Sequence, residues 1–198
     1  MSVDGINAIH TLRIDQDIQL PEQMVFYSLN QQAVINGKVA RVDPAYAAYM
    51  GQTAKAQLEE KLASDELNLK NLLLDRIKSS LAETGRFVLL DQEPSLWDWF
   101  SSVGYPDAEL KVHVTRYGME IATELKRELF PVIDLDLNVQ SSSDSPIWKG
   151  SCSLWASHPK NVGYPFKTYI LKKDALHDVW QHAVSVCTKE AIKDLLSH

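Results

Sequence analysis

Asp134 and Asp136 stand two residues apart in VIDLDLNVQ, a stretch that alternates apolar and polar residues with period two. In a strand of that period both carboxylates leave the same face. There they could hold a divalent cation or share acid–base work. The outward face of a half-wet sheet gives the same pattern without any chemistry. Asp178 and His182, four residues apart, fall on one helix face and could chelate a metal or form an ion pair. No third ligand accompanies them, and His177 is five residues from His182 and points elsewhere, so there is no HExxH-type site. His10, His113 and His158 are scattered. Ser151, Cys152 and Ser153 offer nucleophiles by type alone. GSCSLW is not a GxSxG elbow, it falls within a strand pattern, and a reactive thiolate needs an activating environment. No GxGxxG, phosphate-binding loop or zinc spacing occurs. No set of residues spells out a reaction, and no metal or other cofactor is expected.

The densest aromatic stretch is QEPSLWDWFSSVGYPDAE, with Trp97, Trp99, Phe100 and Tyr105. Such residues serve as interface anchors or stacking surfaces, and equally as a loop folded over its own core. They are the interaction candidates of this chain.

These residues need elements to hold them. In NLKNLLLDRIKSSLAETGRFVLLD, Leu69, Leu72, Leu73, Ile77 and Leu81 recur at three- and four-residue steps, which predicts an amphipathic helix. Gly85 suits a left-handed stop, and Phe87 to Leu90 reads as a short buried strand. Upstream, Ile6 to Ile14 alternates as a strand, with Met24 to Tyr27 as its hairpin partner after Pro21. Asp43-Pro44 looks like a helix start, followed by an alanine-rich helix and then Ser64 or Asp65 as the cap of the next one. Leu110, Val112 and Val114 mark one strand, and Ile133, Leu135, Leu137 and Val139 a second. Trp148, Cys152 and Leu154, with Gly150 between, mark a third, and the three predict an antiparallel meander with one wet face. His158 to Phe166 reads as loop. From Asp174 a last helix carries Leu176, Trp180, Ala183, Cys187, Ala191 and Leu195 on one stripe.

The expected fold is α+β: a mainly antiparallel sheet with two central helices and a C-terminal helix packed on it. One domain is expected over 1–198, with a strand pair in 1–36, helices in 43–84, strands in 86–157 and the last helix in 172–197. Cys152 and Cys187 lie on the apolar faces of a strand and a helix, so their sulfurs could meet if that helix packs on that sheet. A bridge fits an oxidising compartment, and two buried thiols fit the cytosol.

The chain has 198 residues, a formal charge of −6 and a pI near 5.5. That balance argues against broad nucleic-acid binding, which needs a basic footprint. No apolar run reaches the roughly 18 residues of a membrane span, and MSVDGINAIHTL lacks the basic-then-apolar pattern of a leader. Taken literally this reads as cytoplasmic, although a mature exported domain would read the same way.

The order of the segments INAIHTLRIDQDIQLPEQMVFYS, LLLDRIKSSLAETGRFVLLD, ELKVHVTRYGME, LFPVIDLDLNVQ and SPIWKGSCSLW resembles a group of small bacterial envelope lipoproteins. More distantly, the helix–GRFVLLD–strand–strand arrangement is similar to a domain shared by three kinds of envelope protein. These are the N-terminal domain of the Tol-system propeller protein, the curli-secretion lipoprotein, and the lipoprotein activators of penicillin-binding proteins. The segment NGKVARVDPAYAAYMGQ replaces the glycine-rich stretch expected before the long helix. The resemblance implies a non-catalytic binding or assembly domain in the periplasm, associated with the outer membrane. Its expected partner is another envelope protein or a second copy of itself, and membrane contact is expected only through a lipid anchor absent from this chain. The competing expectation is a small-ligand-binding or hydrolytic domain, using the Asp134/Asp136 face or the loop from Trp97 to Tyr105.

Overall fold

The computed structural model describes residues 6–22, 24–27, 52–53, 56–61, 68–90, 106–121, 128–141 and 145–196. Their elements are β1 (Thr11–Ile14), β2 (Val25–Tyr27), α1 (Leu69–Ala82), β3 (Val88–Leu90), β4 (Ala108–Ile121), β5 (Glu128–Ser141), β6 (Pro146–Leu154), β7 (Tyr164–Pro165), α2 (Phe166–Leu171) and α3 (Ala175–Leu196). One sheet runs in the order β3-β1-β4-β5-β6, with β2 also on β4 and β7 also on β5. The fold is α+β, and its long ladders, β4 with β5 and β5 with β6, are antiparallel.

Period-two alternation builds those ladders. Ile133, Leu135, Leu137 and Val139 of β5 are buried against the helices, while Asp134, Asp136, Asn138 and Gln140 face the other way and stay partly exposed. β4 keeps the same phase through Val114, and a bulge at Thr115 then shifts the register from Val114↔Leu135 to Arg116↔Asp134. One extra residue in a strand exchanges its two faces. After the bulge Tyr117 meets Trp180 of α3 edge-on at 6.3 Å, and Arg116 joins the polar face.

Helices cover the opposite side. α1 buries Leu69, Leu73, Ile77 and Leu81, as their spacing predicts, while Leu72 of the same predicted face is only half-buried. Its cap is Asn68, whose side chain accepts from the Asn71 amide at 3.1 Å. The expected caps Ser64 and Asp65 lie outside the described residues. Gly85 closes the helix at φ 61°, a conformation that costs glycine nothing sterically. α3 buries all six residues of its predicted stripe. Of the alanine-rich helix expected after Asp43-Pro44, residues 56–61 are helical and Leu58 is fully buried; Asp43 and Pro44 lie outside the described residues.

Four expectations need correction. The short strand after Gly85 is not buried: β3 begins at Val88, which is 62% exposed, Leu89 and Leu90 are half-buried, and only Phe87, just before the strand, enters the core. Ile6 to Ile14 is not one strand. A turn closed by the Ile9 amide on the Ile6 carbonyl puts both isoleucines in the core, although alternation would place them on opposite faces. β1 and β2 are not a hairpin either, since both run parallel to β4: Leu12 opposite Ala108, Gln19 bridged to His113, and Val25 opposite Gly118. The chain never reverses between them, so Pro21 interrupts a strand and does not turn it. Finally, the stretch read as loop from His158 to Phe166 contains β7, which pairs with the start of β5, and leads into α2.

Candidate functional site

Cys152, on the helix-facing row of β6, and Cys187, on the buried stripe of α3, are joined in a disulfide with their Cα atoms 5.4 Å apart. Two residues before Cys152 the helix comes closer still. A Cβ on Gly150 would run into the backbone carbonyl of Ala191 and the indole of Trp148. The apolar stripe, the close approach and the covalent bond all fix α3 on the edge strand.

Residues 155–162 wrap around this junction. The Asn161 side-chain amide donates to the Trp155 carbonyl at 2.9 Å and to the Pro131 carbonyl at 2.8 Å, tying the segment to β5. The His158 ring stands edge-on to Trp155 at 4.8 Å. Lys160 Nζ pairs with Glu190 Oε1 at 2.8 Å, and the Lys160 carbonyl accepts from His182 Nε2 at 2.8 Å. A carbonyl only accepts, so this bond fixes the neutral His182 ring as the Nε2–H tautomer and leaves Nδ1 as its acceptor. Farther on, the buried Tyr169 hydroxyl donates to the Leu129 carbonyl at 2.6 Å and accepts from the Tyr164 amide at 2.9 Å. Burial pushes its ionisation well above the ordinary tyrosine range.

This pinned segment carries exposed apolar surface. Of the five large apolar side chains exposed among the described residues, Trp155, Val162, Ile170 and Leu171 fall here, with Leu171 81% exposed; the fifth, Val88, is on β3. Sequence reasoning missed this stretch. YPFKTYIL holds the aromatic and aliphatic density that signals packing, but two prolines and HPKN around it read as loop.

The pair Asp134 and Asp136 does share a face, but Asp134 is already engaged. Arg116 Nε holds its Oδ2 at 2.8 Å and the Ser153 hydroxyl donates to its Oδ1 at 2.6 Å, while Arg116 also pairs with the buried Glu120 at 3.1 Å. Asp136 lies opposite His113 on one side and Ser151 on the other. Among the described residues no three His, Cys, Asp or Glu side chains converge as a metal site. Asp178 and His182 do meet in a common feature, a groove of about 500 Å³ between α1 and α3. Trp97, Trp99, Phe100 and Tyr105 lie outside the described residues.

No family model matches the chain, and no curated protein does. Among solved structures, a DUF330 protein of Xanthomonas campestris aligns at 14% identity over 65% of this chain, with a TM-score of 0.43. The match spans 61% of the length of that protein. A hypothetical protein of Chlamydia trachomatis aligns at 11% identity over 94% of this chain and 99% of its own, with a TM-score of 0.36. Both neighbours are bacterial. Neither description names a lipoprotein or a Tol-system protein.

Proposed function

We propose that this chain is a non-catalytic binding domain of the bacterial envelope, lipid-tethered at the periplasmic side of the outer membrane, that docks a protein partner through residues 155–171. The observation that carries the reading is the gathering of Trp155, Val162, Ile170 and Leu171 as exposed apolar side chains on one firmly held segment. Exposed aromatic and aliphatic residues on a rigid support suit a docking surface, because little side-chain or backbone order is lost on contact. The periplasmic setting is supported by the Cys152–Cys187 bridge, since disulfides persist in oxidising compartments. It is supported also by the resemblance of the sequence to envelope lipoproteins.

The test is site-specific photo-crosslinking in cells of the source organism. A photo-reactive phenylalanine analogue at position 155 or 171 is expected to capture one discrete protein. The same analogue at position 88, also exposed and apolar but on β3, is expected to capture none. Capture at position 88 and not at 155 or 171 would refute the reading.

A further inference from the structure

The groove between α1 and α3 is lined by Asp75, Arg76 and Ser79 on one wall and by Asp178, Gln181 and His182 on the other. Its volume of about 500 Å³ is in the range of small-molecule sites. Both walls are preformed, because Leu73 and Ile77 on α1 and Val184 on α3 are fully buried behind it.

Arg76 is the unusual member. Its Nε is buried and finds no hydrogen-bond partner among the described residues, although buried donors are nearly always satisfied. Among the described residues no ion pair joins its guanidinium to Asp75 or Asp178, which line the same groove. The opposite charges of Arg76 and Asp178 thus share a groove without meeting. An arginine fork is shaped for a carboxylate or a phosphate. The neighbouring charges choose between them. Two aspartates and one arginine give this lining a net charge of −1, so a phosphate dianion meets net repulsion. A ligand with one carboxylate and one ammonium group satisfies both walls.

We infer that this groove binds a small zwitterion of the amino-acid or short-peptide class, its carboxylate on Arg76 and its ammonium group on Asp178. The site stands apart from the docking surface of residues 155–171, and either can fail alone.

Titration of the ¹⁵N-labelled full chain tests it, with alanyl-alanine as the probe and acetate, methylamine and inorganic phosphate in parallel. The dipeptide is expected to shift the Arg76 Nε–H resonance and the Ser79 and Gln181 amides with millimolar affinity. Acetate and methylamine, each able to satisfy one wall, should bind about tenfold more weakly or worse, and phosphate no better than acetate. Arg76→Leu and Asp178→Asn should each weaken the dipeptide about tenfold while leaving the amide spectrum otherwise folded. The inference is overturned by an unmoved Arg76 resonance at about 10 mM dipeptide, by phosphate binding more tightly than the dipeptide, or by unchanged affinity in either folded variant.

Discussion

The two sides of this sheet are held by different means. On the C-terminal side, β4, β5 and β6 follow one another in the chain and pair antiparallel, β4 and β5 over 14 residues each. α3 then lies on them and a disulfide secures it to the edge. On the N-terminal side, β1, β2 and β3 are three or four residues long and every pairing is parallel. A parallel neighbour needs a crossover, and α1 lies in the one between β1 and β3. Short parallel strands joined by long connections repay little of their closure entropy. Buried Leu12, Ile14 and Ile18 anchor this side in the core, and polar clips add to that hold. The Asp107 carboxylate accepts from the His10 and Thr11 amides at 2.8 Å each, Arg13 pairs with Glu109 at 2.7 Å, and Arg86 reaches the Leu195 carbonyl at 2.8 Å. Among the described residues the stapled side thus carries Trp155, Val162, Ile170 and Leu171 as exposed apolar side chains, and the N-terminal side carries Val88.

The largest predicted effect comes from removing the staple. Cys152→Ala combined with Cys187→Ala frees a connection of 35 residues, which should cost about 3 to 4 kcal/mol in urea unfolding. If the difference between the two sides is real, amide exchange should speed up first in β6 and α3. Next comes Gly150→Ala, whose new methyl meets the Ala191 carbonyl. Overpacking there should cost about 2 kcal/mol in the same assay. An unchanged urea midpoint would mean that α3 does not press on β6 as described. Tyr169→Phe keeps the ring but leaves the Leu129 carbonyl and the Tyr164 amide without their shared hydroxyl. A loss of about 1.5 kcal/mol is expected, with faster exchange of the Tyr164 amide.

The smallest effect lies on the other side. Backbone amides of Thr11 and His10 hold the Asp107 carboxyl below its ordinary value of 3.8. A carboxylate with a lowered folded pKa stabilises above the unfolded pKa and loses that contribution as pH falls through the folded one. The protection factors of the His10 and Thr11 amides should therefore fall below pH 3.8, while those of β5 and β6 hold. Asp107→Asn should show that loss of protection already at neutral pH.

The C-terminal side was also the more legible in the sequence. The period-two run at Ile133 to Val139 and the stripe from Leu176 to Leu195 each report directly which side is buried, and both faces came out as the pattern implies. The N-terminal strands were harder, because a pattern of three or four residues carries no direction. Nothing local in Thr11 to Ile14 distinguishes a hairpin partner from a parallel neighbour nearly a hundred residues away in the chain. The bulge at Thr115 was hidden for a related reason, since the phase change shows only once Met119 is known to be buried with Val114 and Tyr117 to pack half-buried against Trp180. Of the candidate chemistry, the i, i+4 spacing placed Asp178 and His182 on one face correctly. It could not reveal Arg76, which reaches the same groove from another helix. Nor could strand alternation show that Arg116 already occupies Asp134.

The hold on α3 and the case for an oxidising compartment both require that the Cys152–Cys187 staple exists in the working protein. This is tested by acid quenching cells of the source organism, alkylating free thiols, and then reducing and alkylating with a second reagent. With the bridge in place, Cys152 and Cys187 carry only the second label. Both cysteines carrying the first label would contradict it, removing the support for an oxidising compartment and the covalent hold on α3.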